Sequence, residues 1–397
     1  MRLLMLNNEY PPIGGGTATA NYYVIRELAK RGMNVDLVTS SPSSNQFEVE
    51  QLSPQAHVFR IPIDNKNPHY QTERELINYI MRAFGFIRTL YRGTTPVYDL
   101  CHAWSGLPAG ALALLLRWKR ALPYIVSLRG SDVPGYDPRY KKLYPVLKPS
   151  LHAIWRYSSA ITANSYELRA LALEFRPNET IQVIPNGVDL TQFELRAETS
   201  KGRDDTLIIL CVARLVERKG VADLINAVPL IRAQHERFKI ILVGRGDKEA
   251  EFKAQVREQG LEQWVTFRGA VLHTEIPAIY KEADIFILPS LNEGMSNAVL
   301  EAMAAGLPIV TTYTGGTAET MRGNGILIPK QSPDAIADAL IELLNDGELR
   351  KTMGRRSRQI AESMIWEQVV DKHMLLYEQT LQSLSKKSLT ATNVLPR

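Results

Sequence analysis

Two cysteines in a chain of 397 residues leave no room for a disulfide framework. Cys101 and Cys211 lie far apart, each beside an apolar strand-like run, and read as two separate buried thiols of a reducing compartment. No Cys/His cluster has metal-ligand spacing. No Asp-x-Asp occurs either, so a carboxylate-held divalent metal has no support and no cofactor is expected. Long apolar runs are also missing. The longest uncharged one, Trp104–Leu116, is broken by Pro108 and falls short of the roughly 20 residues of a spanning helix. Leu3–Leu6, followed by Asn7, Asn8 and Glu9, is too short for the apolar region of a secretory signal. The expected location is cytoplasmic. Hydrophobic residues at 45% and charged residues at 22% exclude wholesale disorder.

Charge of one sign is scarce overall, at a net +5, but it is unevenly placed. Residues 1–190 carry +6 and the remainder −1. Residues 112–148 hold Arg117, Lys119, Arg120, Arg129, Arg139, Lys141, Lys142 and Lys148 against Asp132 and Asp137. Such a front half fits either a solvated face or an anionic partner. A nucleic-acid role would explain the charge, but no recognition module accompanies it.

What the chain has in quantity is alternation. Leu3–Leu6, Val35–Thr39, Tyr98–His102, Tyr124–Leu128, Ala160–Ala163 and Ile181–Ile184 form one series of apolar, strand-like runs. Leu207–Val212, Lys239–Val243, Val265–Phe267, Asp284–Leu288, Ile309–Thr311 and Ile326–Ile328 form a second. Amphipathic segments lie between them, such as Thr17–Arg31 and Thr72–Leu90, the latter opened by a Thr72-x-x-Glu75 capping box. This pattern means parallel sheets covered on both faces. The polar stretch Leu195–Asp205 divides the chain into domains at 1–195 and 205–365. A helix over 366–384 follows, and 385–397 reads as a frayed tail.

Ligands of such sheets bind beyond the carboxyl ends of the strands, and several motifs stand there. Pro11-Pro12-Ile13-Gly14-Gly15-Gly16-Thr17 is either a bare tight turn or an anion-binding helix start. Gly244-Arg245-Gly246 lacks the third glycine of a dinucleotide fingerprint, and Asp36 sits inside its strand, so an NAD-dependent oxidoreductase is a poor reading. Arg214 and Lys219 follow the strand Leu207–Val212 and can neutralise a diphosphate in place of a metal. Glu293 and Glu301 flank a helix start near Ser296, whose free N–H groups over Gly294, Met295, Ser296 and Asn297 suit an anion. Taken alone, two glutamates at this spacing are more often surface residues. Beside the Arg/Lys pair they suit a ligand both polyhydroxylated and phosphorylated.

Taken in order, these motifs resemble the family-4 retaining glycosyltransferases of the GT-B type. Besides those named, the resemblance rests on Ile184-Pro185-Asn186-Gly187-Val188-Asp189, Gly315-Gly316-x-x-Glu319 and Ile365-Trp366-Glu367. It implies an α/β chain of two doubly wound parallel-sheet Rossmann-like domains facing a central cleft: an acceptor domain first, then a donor domain, with the last helix crossing back. By residue it implies that Arg214 and Lys219 bind the donor diphosphate, Glu301 the ribose, and Glu293 the transferred sugar. Phe267–Val271 would border the base, with Val271 as a contact, and Gly15 and Gly16 would lie near phosphate or acceptor.

One departure stands out. Many relatives carry His-x-His after the third strand; here His102-Ala103-Trp104 keeps only the first, so His102 is either a sugar contact in catalysis or a core histidine. Arg129 stands where many relatives have a His, and with Asp132 becomes a candidate acceptor or sugar contact. The implied activity is hexosyl transfer, with retention and without metal, from a UDP- or GDP-sugar to a glycan or lipid-linked acceptor of envelope or exopolysaccharide assembly. The rivals are a non-hydrolysing nucleotide-sugar epimerase and a nucleotide-sugar-binding protein without catalysis. The basic cluster, with Leu151, Ile154 and Trp155 on a short helix over Pro149–Tyr157, suggests a partly aromatic surface for anionic headgroups.

Overall fold

The computed structural model describes residues 1–42, 46–64, 71–91, 98–137, 140–195, 206–272 and 274–392. From 196 on, the stretch Leu195–Asp205 lies outside the described residues, as does Arg139. The chain forms two compact units, Met1–Pro185 with Trp366–Arg397, and Asn186–Ile365. Residues 186–195 therefore belong with the second unit. Val188 and Phe193 are buried in its core, and the Val188 N–H donates to the Met364 carbonyl at 2.8 Å.

In the first unit the described strands are β1 (Arg2–Leu6), β2 (Asn34–Ser40), β3 (Glu48–Ser53), β4 (Ala56–Ile61), β5 (Leu100–Ala103), β6 (Tyr124–Leu128), β7 (Ala160–Ala163) and β8 (Ile181–Val183). They form one sheet in the order β3-β4-β2-β1-β5-β6-β7-β8. Every described pairing is parallel except that of the edge strand β3, antiparallel to β4. The β3–β4 hairpin escapes a search for continuous apolar runs, because Glu48, Glu50 and Gln51 on an edge can stay polar. Helices α1 (Gly16–Lys30), α2 (Glu73–Leu90), α3 (Ala109–Arg120), α4 (Tyr144–Tyr157) and α5 (Tyr166–Phe175) cover it. Alternation sorts β1: Leu4 and Leu6 face the core under α2–α5, while Leu3 and Met5 face α1. The Thr72 capping box forms, with Thr72 N–H donating to Glu75 Oε2 at 2.7 Å. Asp36 is structural: Arg2, His57 and Tyr98 all bond its buried carboxylate.

The second unit holds β9 (Leu207–Val212), β10 (Phe238–Val243), β11 (Val265–Gly269), β12 (Ile285–Leu288), β13 (Ile309–Thr312) and β14 (Gly325–Ile328), parallel in the order β11-β10-β9-β12-β13-β14. Helices α6 (Val221–Arg232), α7 (Glu249–Glu258), α8 (Ile276–Glu282), α9 (Asn297–Ala304), α10 (Gly315–Glu319), α11 (Pro333–Asn345) and α12 (Gly347–Glu362) surround it. Cys101 in β5 and Cys211 in β9 are free and buried, and burial pushes the Cys211 thiol up to about 12.

After Ile365 the chain rejoins the first unit as α13 (Trp366–Thr392), packed on α1. Trp366 stacks on Tyr23 with centroids 5.3 Å apart, and Arg31 donates to the Glu367 carbonyl at 2.8 Å. The helix continues past Leu384, because residues 385–392 contain neither Gly nor Pro and Ser385 Oγ bonds back to the Leu381 carbonyl.

Helix α4 corrects a second expectation. Pro145 lies in its first turn, where no N–H partner is needed, and Pro149 is accommodated inside it. Leu151, Ile154 and Trp155 are each 1% exposed. They are core residues, not a docking surface. Among the described residues no helix is long and apolar enough to cross a membrane.

Candidate active site

Strands β9 and β12 are sheet neighbours, with Ile209 opposite Ile285 and Leu210 opposite Phe286. Parallel neighbours end on the same edge, so the loops leaving them meet although 74 positions separate Lys219 from Glu293. The first loop makes a 3-10 turn over Glu217–Lys219 and enters α6 through Gly220, whose φ is +67°. A Cβ at Gly220 would collide with the Pro289 carbonyl, so glycine is what lets the loops close. The Leu291 N–H then donates to the Arg218 carbonyl at 2.8 Å.

The outcome is a buried ion pair. Lys219 Nζ donates to Glu293 Oε1, with the two side chains 11% and 8% exposed. Ser290 Oγ donates to the same oxygen at 3.0 Å. Burial alone would raise the Glu293 carboxyl; the Lys219 and Arg218 charges and the two hydrogen bonds outweigh it and hold Glu293 below the usual glutamate range. Burial pulls the Lys219 ammonium down, against the attraction of Glu293, and Arg218 and Arg214 add to the fall. Lys219 and Arg218 therefore act on one carboxylate at the sheet edge, and Arg214 acts on Lys219.

Helix α9 starts beside them. Ser296 is its N-cap, accepting from the Val299 N–H, and Asn186 Nδ2 ties the entry by donating to Asn297 Oδ1 at 2.7 Å and to the Met295 carbonyl at 3.3 Å. At Gly315, φ +49°, a Cβ would run into the Glu293 carbonyl, and the Gly316 N–H donates to the Gly294 carbonyl at 2.5 Å. The Gly315-Gly316 pair is thus the seat on which the Glu293–Gly294 backbone rests. One turn along α9, Glu301 Oε2 lies 3.0 Å from the Tyr280 hydroxyl. Burial pushes the Glu301 carboxyl up to about 7, against the Tyr280 hydrogen bond.

Of the residues named from sequence, the second unit thus unites Lys219, Glu293, Gly294, Met295, Ser296, Asn297 and Glu301, with Arg214 close enough to act on Lys219. Val271 follows β11, half-buried against the core near Phe267. Arg218, Ser290, Tyr280 and Asn186 were given no role from sequence. Arg218 adjoins Lys219 and Ser290 precedes Glu293 by three, so proximity was the available signal; Tyr280 had none.

The first unit engages three of the named residues in its own packing. His102 is fully buried, its Nδ1 2.8 Å from the Tyr377 hydroxyl and its Nε2 2.7 Å from Ser127 Oγ. Burial, then the His373 and Arg129 charges, hold it well below the usual range. Of the two readings given from sequence, burial with both nitrogens engaged fits the neutral core histidine. Strand alternation explains this, because His102 shares a face with Leu100 and Trp104 toward α13. Asp132 is 7% exposed and accepts N–H bonds from Gly106, Arg129 and Gly130 at 2.7, 3.0 and 2.8 Å. Its carboxylate folds a loop. The Arg129 guanidinium lies 4.8 Å over the Trp104 ring, and burial lowers it to about 10, so it too is engaged within the unit. Gly15 caps α1 and Gly16 opens it.

Comparison with known proteins agrees with this architecture. Residues 193–360 match the model of the "Glycosyl transferases group 1" family, and residues 15–187 that of the "Glycosyl transferase 4-like domain". The GDP-mannose-dependent alpha-(1-6)-phosphatidylinositol monomannoside mannosyltransferase of Mycobacterium tuberculosis is 30% identical over 90% of this chain and 93% of its own. A sucrose-phosphate synthase from Thermosynechococcus elongatus superposes with a TM-score of 0.84 at 22% identity, over 96% of this chain and 100% of that one. An Anabaena protein crystallised with UDP-glucose gives 0.72 at 18%, over 97% and 100%. The chain belongs to the group 1 glycosyl transferases and has the GT-B fold of the family-4 enzymes.

Proposed function

We propose that the chain moves a hexosyl group, with retention and without a metal, from a nucleoside-diphosphate sugar to a glycan or lipid-linked acceptor. The observation that carries this reading is the buried Lys219–Glu293 pair, with Arg218 and Arg214 acting on it, beside the start of α9. Arg214 and Lys219 take the charge of the diphosphate as it leaves. Glu301 holds the ribose. Glu293, kept ionised by its neighbours, orients the transferred sugar. In the same-face route the bond from C1 to the donor phosphate oxygen breaks as the acceptor oxygen bonds C1, and that phosphate oxygen takes the acceptor proton. The Mycobacterium tuberculosis and Anabaena proteins support a sugar nucleotide as donor.

A thermal-shift panel of UDP-, GDP- and ADP-sugars tests the donor class, since a ligand at a hundred times its Kd adds about 2.7 kcal/mol. The anomeric configuration of the product then tests retention, and transfer surviving EDTA tests the metal-free route. Donor turnover without acceptor would favour an epimerase; binding without transfer or hydrolysis would favour a binding protein.

For the acceptor, a surface on the first unit favours a membrane-associated substrate at the cytoplasmic face. Trp118 is 57% and Tyr157 47% exposed, their rings edge to face at 6.1 Å, among Arg117, Lys119, Arg120 and Arg156. Each basic residue near an anionic leaflet contributes about 1 kcal/mol, so docking is weak and reversible. Co-sedimentation with anionic vesicles that is lost at high salt is expected; equal recovery with neutral vesicles refutes it.

A further inference from the structure

We propose that Tyr280 is the positioning residue of the ribose-binding carboxylate, so that preference for ribose over 2′-deoxyribose depends on a hydroxyl that touches no substrate. This rests on the reading of Glu301 as the ribose ligand. Tyr280 lies on α8, fully buried, its ring edge-on to Phe193 at 5.6 Å and 5.8 Å from Phe286. Its hydroxyl sits 3.0 Å from Glu301 Oε2 and 3.0 Å from the Ala298 carbonyl. One proton faces two acceptors, so the hydroxyl follows the state of Glu301. With the carboxylate ionised, the proton goes to Oε2, the stronger acceptor. With Glu301 protonated, Oε2–H donates to the tyrosine oxygen and the tyrosine proton turns to Ala298.

The geometry matters because the last torsion of a glutamate is broad and roughly two-fold. Two vicinal ribose hydroxyls need both carboxylate oxygens in one orientation. Anchoring Oε2 from a ring that is itself locked in the core fixes that orientation while leaving Oε1 and the second lone pair of Oε2 for the diol. The hydroxyl also favours the ionised form, which has the greater acceptor capacity. Without Tyr280 the half-buried carboxyl has its rotation unopposed, and only a ligand that uses both hydroxyls detects the loss.

The test is calorimetric titration of the full chain and of Tyr280→Phe with UDP, GDP and ADP, each against its 2′-deoxy form. The wild type is expected to prefer the ribonucleotide. Tyr280→Phe should cut that preference about tenfold, as for a hydrogen bond to a charged group, with the deoxynucleotide affinity little changed. Preference retained in Tyr280→Phe overturns the proposal and leaves the Glu301 assignment standing. A wild type that does not distinguish the two sugars overturns both. Should the phenylalanine variant fail to fold, Phe193→Leu loosens the ring while keeping the hydroxyl; a smaller loss of preference supports the proposal and an unchanged ratio overturns it.

Discussion

Removing the ammonium from Lys219 is the most direct perturbation of the site. The Glu293 carboxylate is 8% exposed, so Lys219→Ala leaves a charge in the interior with its main partner gone. Breaking a buried pair in this way costs about 3–5 kcal/mol. Here Ser290 still donates at 3.0 Å and the Arg218 charge still acts, which puts the expected loss near the lower end, about 3 kcal/mol. At roughly 2–4 °C per kcal/mol for a unit of this size, the melting temperature should fall by about 6–12 °C. Lys219→Met with Glu293→Leu removes both charges and should recover much of that loss, because the pair's own desolvation cost disappears with it. Lys219→Ala should also bind the nucleoside diphosphate about ten- to a hundredfold more weakly. Calorimetric melts of the wild type, Lys219→Met, Glu293→Leu and the double variant close the cycle, with Lys219→Ala measured beside them. If Lys219→Ala melts with the wild type, or the double variant is the least stable of the set, the description of a tightly coupled buried pair is wrong.

Other perturbations separate the remaining roles. Glu293→Gln should lower kcat far more than it weakens nucleotide binding, while Glu301→Gln should do the opposite; steady-state kinetics with parallel titrations that return the reverse pattern would exchange the two assignments. Glu301 has a folded pKa raised from 4.5 to about 7, so its protonation stabilises the fold: that contribution is fully present below about pH 4.5 and is lost as pH rises through 7. In the absence of nucleotide, Glu301→Gln should therefore melt above the wild type at pH 8, by the equivalent of about 3 kcal/mol, and the gap should shrink toward pH 4.5; a gap independent of pH counts against the raised value. Replacing His102 by Leu strands the Tyr377 hydroxyl, while Ser127 keeps its bond to Thr162 Oγ1, and should cost about 1–3 kcal/mol of stability with the donor KM unchanged; a selective loss of donor affinity, without a fall in melting temperature, would restore it to the site.

How much of this was legible beforehand depends on the range of the interaction. Continuous apolar runs had to be buried on both faces, so the parallel sheets, the helices between them and the buried thiols followed from local patterning. The β3–β4 hairpin did not, because a half-exposed edge needs no continuous apolar run. The diphosphate and sugar candidates Lys219, Glu293 and Glu301 could be named because loops at carboxyl strand ends are where such sheets bind ligands. That Lys219 and Glu293 form one ion pair came only with the strand order, which makes β9 and β12 neighbours. His102, Asp132 and Arg129 show the limit most sharply. Their side chains are polar enough for chemistry, and nothing along the chain reveals that Tyr377, the Gly106 and Gly130 amides and the Trp104 ring use them. Polar groups are interchangeable in a sequence until burial decides which of them must satisfy each other. That decision belongs to the tertiary structure, as does the anchoring of Glu301 by Tyr280, a tyrosine that along the chain reads only as one more apolar position of a short helix.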